Sequence, residues 1–521
     1  MLFHQVSTLW RTPTLNPVNL KARSVPILNP IDRHGRVFFF SWLGFMLAFW
    51  AWYAFPPLLS VTIKEDLHLT PAQVANSNIV SLVATLAVRF LAGPLCDQFG
   101  PRRVFGMILL VGSLPVGLAP LVKDATGLYI SRLFIGILGG SFVPCQVWCT
   151  GWFDRNVVGT ANALSGGWGN AGGGITYFIM PAVFDSLVSK QGLSHDKAWR
   201  VTFVVPLICL LACGLGLLVL CEDTPTGSWN DRFNHATNTD KTDIIVGIPG
   251  TLTDRNPSTS GTSTPSDTKK PTDPEKALDT PSTKPSPPAT IIDITTTTTP
   301  ETSPTTEIVQ PPSLKGTLAL LFTPHALFHI ATYSCSFGGE LSINSVLAAY
   351  YLANFPSLGQ TAAANYAAIF GFLNFIARPL GGVVADVLYR VSGGNLWWKK
   401  GWVHLCGLVT GVLLVVIGVV NPKELGEMVG LVTVMAFFLE AGNGANFALV
   451  PHVYPQSNGI LSGMTGAGGN LGGVVFAIIF RFMDGGVNYA KGFWVVGVIH
   501  IALNLAVCWV PPIPKGQVGG R

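Results

Sequence analysis

The sequence predicts an all-α membrane protein with twelve transmembrane helices in two pseudo-symmetric six-helix halves. Three observations predict it. Apolar runs near 20 residues, about the length that spans a bilayer core, recur along most of the chain. Charged residues make up 11% against 49% hydrophobic, well below the usual soluble composition, which excludes a string of soluble domains. The chain also repeats itself. Gly166, Gly169, Asn170, Gly172 and Gly173 in "GGWGNAGGG" recur in register, 300 positions later, as Gly466, Gly469, Asn470, Gly472 and Gly473 in "GAGGNLGG".

Taken in order, residues 1–36 hold five basic residues and four prolines without an apolar core. That composition reads as a cytosolic tail and not as a cleaved signal peptide. Hydropathy then places spans at 37–61, 72–93, 103–122, 127–149, 158–184 and 201–221, which form the first half, 37–221. The interval 222–316 is rich in Thr, Ser, Pro and Asp, as in "TIIDITTTTTPETSPTTE", with too few apolar groups to offset chain entropy. It is expected to be a disordered cytosolic loop, dispensable for transport over Thr224 to Pro312. The second half, 317–512, carries spans at 323–352, 362–385, 402–420, 427–450, 459–483 and 493–511, and 513–521 is a cytosolic tail. The nine cysteines lie in or beside apolar spans with no metal-type spacing, so they read as small buried hydrophobes.

Lysine and arginine in the short loops orient the spans. With the N-terminus inside, cytosolic segments other than the long loop carry 13 of them against eight outside. Both termini and the central loop are therefore expected in the cytosol.

Between spans 2 and 3 runs "GPLCDQFGPRR", Gly93 to Arg103, with a weaker counterpart "GGVVADVLYR", Gly381 to Arg390, after span 8. "RLFIGILGG", Arg132 to Gly140, lies in span 4. With two six-span halves and a long central loop, these stretches resemble the major facilitator superfamily. The resemblance implies that fold, with alternating access between the halves. In it Asp97 is expected to cap a neighbouring helix and to pair with Arg102 or Arg103, latching the inward mouth, with Asp386 as its counterpart.

Deeper in the membrane, "RFLAGPLCD" places Arg89 eight residues before Asp97, and "RPLGGVVAD" places Arg378 eight before Asp386. Eight helical residues rise about 12 Å, so both arginines fall near the middle of a core about 30 Å thick. An arginine there costs roughly 2.5–3.5 kcal/mol even on the lenient insertion scale. Two readings follow. Each arginine pairs with a deep carboxylate, Glu340 in span 7 or Glu440 in span 10, or both face one central cavity and clasp a small oxyanion between planar forks. Asn170 and Asn470 can donate to such an anion. Phe142 and Phe447, just past mid-span in spans 4 and 10, can pack or can sandwich a flat ligand. The glycines read as faces of close backbone approach that slide as the halves rock.

The paired glycine-rich stretches with an embedded asparagine resemble the signature of the nitrate/nitrite porter family. "FFLEAGNGANFALVPHVYP", Phe437 to Pro455, and the long loop look most like its fungal branch. The resemblance implies nitrate or nitrite as substrate, Arg89 and Arg378 as its ligands, and import with protons across the plasma membrane. The family's span 7 tyrosine has no assigned counterpart, because Glu340 stands near that position. Importing an anion against a negative interior costs about 2.3 kcal/mol per 100 mV, so cations must accompany it. Glu340, Glu440 or an internal rearrangement is left to carry the protons. Rival readings are nitrate/nitrite exchange, export of organic compounds through an arginine-free aromatic cavity, and a nutrient sensor signalling through the loop. An enzyme is not expected, since there is no nucleophile motif and the glycine runs follow no strand. No cofactor, metal or nucleic acid is expected either. The expected partners are the anion, protons and membrane lipid, and the expected assembly is a monomer.

Overall fold

In the computed structural model the described residues are 9–17, 20–229, 320, 322–454, 458–483 and 487–514. Among them, eleven helical segments are long and apolar enough to cross a membrane. Spans 1 to 6 are Arg33–Leu59, Pro71–Cys96, Pro101–Leu121, Ala125–Trp152, Val157–Ser189 and His195–Leu220. Spans 8 to 12 are Pro356–Val391, Leu396–Val420, Leu425–Val453, Ile460–Phe482 and Tyr489–Ala506. Span 7, Pro324–Asn354, is a single helix of 31 residues, long enough but less apolar because it buries His329, Glu340 and Asn344. With it, the expected twelve are accounted for.

Several spans are not unbroken helices. Span 5 is two helices, Arg155–Asn170 and Gly172–Ser189, and span 8 is Gly359–Leu373 followed by Ala377–Val391. Span 4 tightens to a 3-10 turn at Gly136–Ser141 between Ala125–Ile135 and Phe142–Trp152. Each irregularity sits at mid-depth beside an arginine or an asparagine. Irregular backbone is tolerated in spans 4 and 5 because protein surrounds it, whereas at the span 8 break Asn374 is buried and Phe375 and Ile376 are exposed.

The halves meet along two matched seams, span 2 against span 11 and span 5 against span 8. Glycine makes the second seam tight. A Cβ added at Gly174 would lie 2.6 Å from the backbone nitrogen of Phe372, and Gly371 faces Gly174 just as closely. From mid-depth to the face opposite the chain termini, hydrogen bonds cross between halves. Tyr53 Oη donates to Leu341 O at 3.2 Å, Tyr177 Oη to Asn344 O at 2.5 Å, and Thr62 N to Gln360 Oε1 at 2.9 Å.

The terminal face revises three expectations. Arg102 binds Asp223 through Nε at 2.9 Å and the carbonyl of Cys221 through Nη1 at 2.6 Å, while Arg103 is exposed. The Asp97 side chain lies outside the described residues, and the N-cap of the following helix is Gly100 with no side-chain cap. Residues 222–229, assigned to the disordered loop, pack on the first half. Trp148 and Trp152 donate their indole N–H groups to the carbonyls of Glu222 and Asp223, both at 3.2 Å. The reason is polar satisfaction, since two buried indoles need acceptors and the last carbonyls of span 6 need donors, which Arg102 supplies. The rest of the interval 222–316 lies outside the described residues. Ile513, assigned to the C-terminal tail, is buried as well. Asp386 is held by Lys399 Nζ at 2.8 Å, within its own half.

Asp223 thus closes the first half. Asp223→Ala strands Arg102 and is expected to cost about 1–3 kcal/mol, read as a lowered melting temperature in detergent. A protein that keeps both halves and loses only loop residues between Trp229 and Pro312 is expected to melt like the full-length protein. Equal melting of Asp223→Ala and wild type would show that the pair does not hold this boundary.

Candidate functional site

Arg89 and Arg378 come together, as the second of the two sequence readings required. Both are almost wholly buried, at 1% and 2% exposure, and both guanidiniums lie over the same two rings. Arg89 Cζ is 5.0 Å from the centroids of Phe142 and Phe337, and Arg378 Cζ is 5.9 and 5.7 Å from them. Cation–π contacts of this kind are worth about 0.5–2 kcal/mol each, enough to offset part of the burial cost.

The two forks are held differently. Arg89 Nε donates to Gly139 O at 2.8 Å and Nη1 to Gly466 O at 3.3 Å, with no carboxylate partner among the described residues. Arg378 Nη2 donates to Tyr333 Oη at 2.7 Å, and its Nη1 stands 3.8 Å from Glu340 Oε2. The carboxylate-pairing reading therefore applies loosely to Arg378 and not to Arg89. Arg89 Nη2 and Arg378 Nη1 have no hydrogen-bond partner among the described residues. Two unused donors from opposite halves flank the same rings, and that arrangement can receive the oxygens of a small planar anion.

The glycine runs make this geometry possible, each serving the other half. An added Cβ at Gly166 would stand 3.4 Å from Arg378 Nε, and one at Gly466 would stand 3.4 Å from the Phe142 ring and 3.9 Å from Arg89 Nη1. At Gly169 it would overlap the Phe45 ring, and at Gly469 it would stand 2.8 Å from both Phe337 and Tyr333. At Gly172 and Gly472 it would overlap the carbonyls of Met46 and Ser334, on the first helix of each half. Gly173 and Gly473 line the same seams beside Tyr53 and Leu341.

Of the two asparagines, Asn170 is buried with both amide atoms unpartnered. Asn470 differs from the expectation: its Nδ2 donates to Gly466 O at 3.1 Å, the carbonyl that Arg89 also reaches. It braces that carbonyl with one of its two amide hydrogens. Phe142 and Phe447 do not form a sandwich either, since they meet edge to face at 5.5 Å. The near-parallel rings are Phe142 with Phe337 at 6.3 Å and Phe337 with Tyr333 at 5.1 Å.

Sequence reasoning missed Tyr333 and Phe337. Their signal was present, because Tyr333, Phe337, Glu340 and Asn344 follow i, i+4, i+7, i+11 and form one face of span 7. Tyr333 is the span 7 tyrosine that faces the arginines. Glu340 lies two turns beyond it, its carboxylate taking hydrogen bonds from Asn374 Nδ2 at 2.8 Å and Asn443 Nδ2 at 2.7 Å. Glu440 is fully buried, and neither of its oxygens has a hydrogen-bond partner among the described residues.

The family model described as Major Facilitator Superfamily matches residues 41–394. The chain belongs to that superfamily. This facilitator is similar to solved structures of the nucleoside transporter NupG and of a bacterial homolog of the human lysosomal transporter Spinster. Each aligns with a TM-score of 0.53 at 12% identity, over 91% of this chain and 99% and 95% of theirs. At that identity they show the shared fold alone. Among curated relatives it is 35% identical to "Elsinochrome transporter 1" of Elsinoe fawcettii, over 98% of this chain and all of that protein. It is 30% identical to "High affinity nitrate transporter 2.5" of Arabidopsis thaliana, over 94% of this chain and 82% of that one. It is 28% identical to "Nitrate/nitrite transporter NrtP" of Nostoc punctiforme, over 93% and 94%. The facilitator is thus a multi-pass membrane transporter with nitrate transporters among its relatives.

Arg89→Lys and Arg378→Lys keep the charge but lose the fork. Each is expected to weaken binding of a small planar oxyanion at least about tenfold, the loss of one charge-assisted hydrogen bond. Tyr333→Phe should weaken it less, because Arg378 keeps Glu340. Calorimetric titration of detergent-solubilised protein measures all three, and wild-type affinity in both lysine variants would remove the arginines from the site.

Proposed function

We propose that this facilitator imports nitrate, and with it nitrite, by proton-coupled symport across the plasma membrane, with both termini and the central loop in the cytosol. The reading is carried by two guanidinium nitrogens without a hydrogen-bond partner among the described residues, one from each half, that flank the Phe142–Phe337 pair. A ligand gripped by both halves at once ties its own binding to their relative position, which is what alternating access requires. Nitrate fits the donor set, being planar, small and singly charged. Asn170 supplies a third group, and nitrate-transporter relatives in plants, an alga and a cyanobacterium agree with the cargo. The protein acts as a monomer in this reading, since each chain brings both arginines.

Proton coupling follows from energetics. A lone anion entering a cell held at −100 mV climbs about 2.3 kcal/mol, and nitrate is too weak a base to bring its own proton. More than one proton per anion makes the cycle net positive and lets the membrane potential drive it. The fungal branch resemblance supports the same mode.

The 35% identity to "Elsinochrome transporter 1" favours a second reading, movement of a larger organic compound. Against it stand the rings, which meet at 5.0 to 6.3 Å around the arginines and fill the space that a larger cargo needs.

Symport predicts an inward current when nitrate is added outside voltage-clamped oocytes, growing as external pH falls. Nitrate/nitrite exchange is electroneutral, needs anion on both sides and ignores a pH gradient. Uptake that proceeds only against internal nitrite, without current, would refute symport and leave the anion site standing. Uptake of labelled nitrate that no inorganic anion competes away would favour the organic cargo instead.

A further inference from the structure

The two halves share the arginines equally but not the acids. Within spans 1 to 6 the acids are Asp185 and Asp196, each near an end, whereas spans 7 and 10 bury Glu340 and Glu440 at mid-depth. These two carboxyls are set up in opposite ways. Glu340 has a donor on each oxygen, Asn374 on Oε1 and Asn443 on Oε2, and stands 3.8 Å from Arg378. It is provided for as an anion. Glu440 has nothing: it is wholly buried, and both oxygens lack a hydrogen-bond donor among the described residues. An ionised carboxylate so placed carries an uncompensated desolvation cost, whereas a neutral carboxyl costs far less.

Position links this group to the anion site without placing it in the site. Glu440, Asn443 and Phe447 follow i, i+3, i+7 on span 10 and share one face. Phe447 belongs to the ring cluster and Asn443 binds Glu340, so Glu440 stands one turn further toward the face opposite the termini. The groups around span 10 are few. Span 7 presents Glu340, Tyr333 and His329, span 8 presents Arg378, and span 12 presents His500, whose Nε2 lies with Leu439 beside Gly339. Span 9 presents Lys399, engaged by Asp386 near the terminal face, and His404, which packs on Phe328. The charges that bear on Glu440 are Glu340 and Arg378.

We propose that Glu440 takes up and releases one of two protons that accompany the anion, so that its loss leaves an electroneutral cycle, while Glu340 remains the fixed counter-ion of Arg378. The inference rests on the proton-symport reading above. With Glu440 ionised, Arg89 and Arg378 are balanced by two carboxylates and the site has no net attraction for an anion. A proton from the outer water, added to one oxygen of Glu440, leaves a single positive charge that nitrate then neutralises. Proton and anion therefore each favour the binding of the other. When the halves rock and water reaches Glu440 from the cytosolic side, the O–H bond breaks to that water as the anion leaves. No electron moves.

The test uses full-length protein in proteoliposomes, with labelled nitrate exchange and nitrate-evoked current measured on the same preparations. Glu440→Gln, a standing neutral carboxyl mimic, is expected to exchange nitrate at the wild-type rate and to lose the nitrate-evoked current. Glu340→Gln is expected to impair exchange itself, since it unbalances Arg378. Current persisting in Glu440→Gln overturns the proposal, as does loss of exchange in a Glu440→Gln protein that still binds nitrate. Should Glu440→Gln not fold, Glu440→Asp keeps a carboxyl there and is expected to couple with a displaced pH profile, and an unchanged profile overturns the assignment. A wild-type protein that exchanges nitrate for nitrite without any current defeats the symport reading itself, which separates that failure from this one.

Discussion

Everything in this molecule is arranged around two arginines at the middle of a membrane. Each costs several kcal/mol to place there unless it is compensated, and the compensation differs on the two sides. Arg89 is held by two backbone carbonyls and two aromatic faces, Arg378 by a tyrosine, a nearby carboxylate and the same two faces. Sharing Phe142 and Phe337 sets one cation near another. That is unfavourable by charge alone and becomes an asset only when an anion of the right size binds.

The glycine runs are the structural consequence of this demand. A carbonyl can reach Arg89 only if span 11 approaches span 2 without an intervening side chain, and Gly466 permits it. Gly166 does the same for Arg378. The cost of so many glycines in a helix, up to about 1 kcal/mol each relative to alanine, is met by packing against Met46, Ser334 and the rings of Phe45 and Tyr333. Because each run abuts the arginine of the opposite half, movement of one half against the other alters the surroundings of both arginines together. The hydrogen bonds from Tyr53 and Tyr177 to Leu341 and Asn344 join the halves within about one turn of Glu340, and the bond from Thr62 to Gln360 joins them at the far face.

The relatives with printed cargo names differ widely, an elsinochrome transporter beside nitrate transporters. A superfamily fold leaves such cargo differences to the few side chains at mid-depth, since the remaining surface faces lipid or packs helix on helix. In this chain those side chains are two guanidiniums, a ring cluster and an amide, a set suited to a small anion.

Span number, the two halves and the depth of Arg89 and Arg378 were legible in the sequence, because hydropathy and a residue's distance along a helix are local quantities. The repeat also revealed that Gly166 and Gly466 matter, though not that each abuts the other half's arginine. What the tertiary structure decided were choices among partners: Arg102 going to Asp223, Asn470 spending a donor on Gly466, Phe142 pairing with Phe337, and Tyr333 facing Arg378 two turns before Glu340. Each of these side chains has several candidates within reach of its own helix, and helical spacing ranks them equally. Only the packing of one span against another, which settles which face is covered and which donor is already used, picks one.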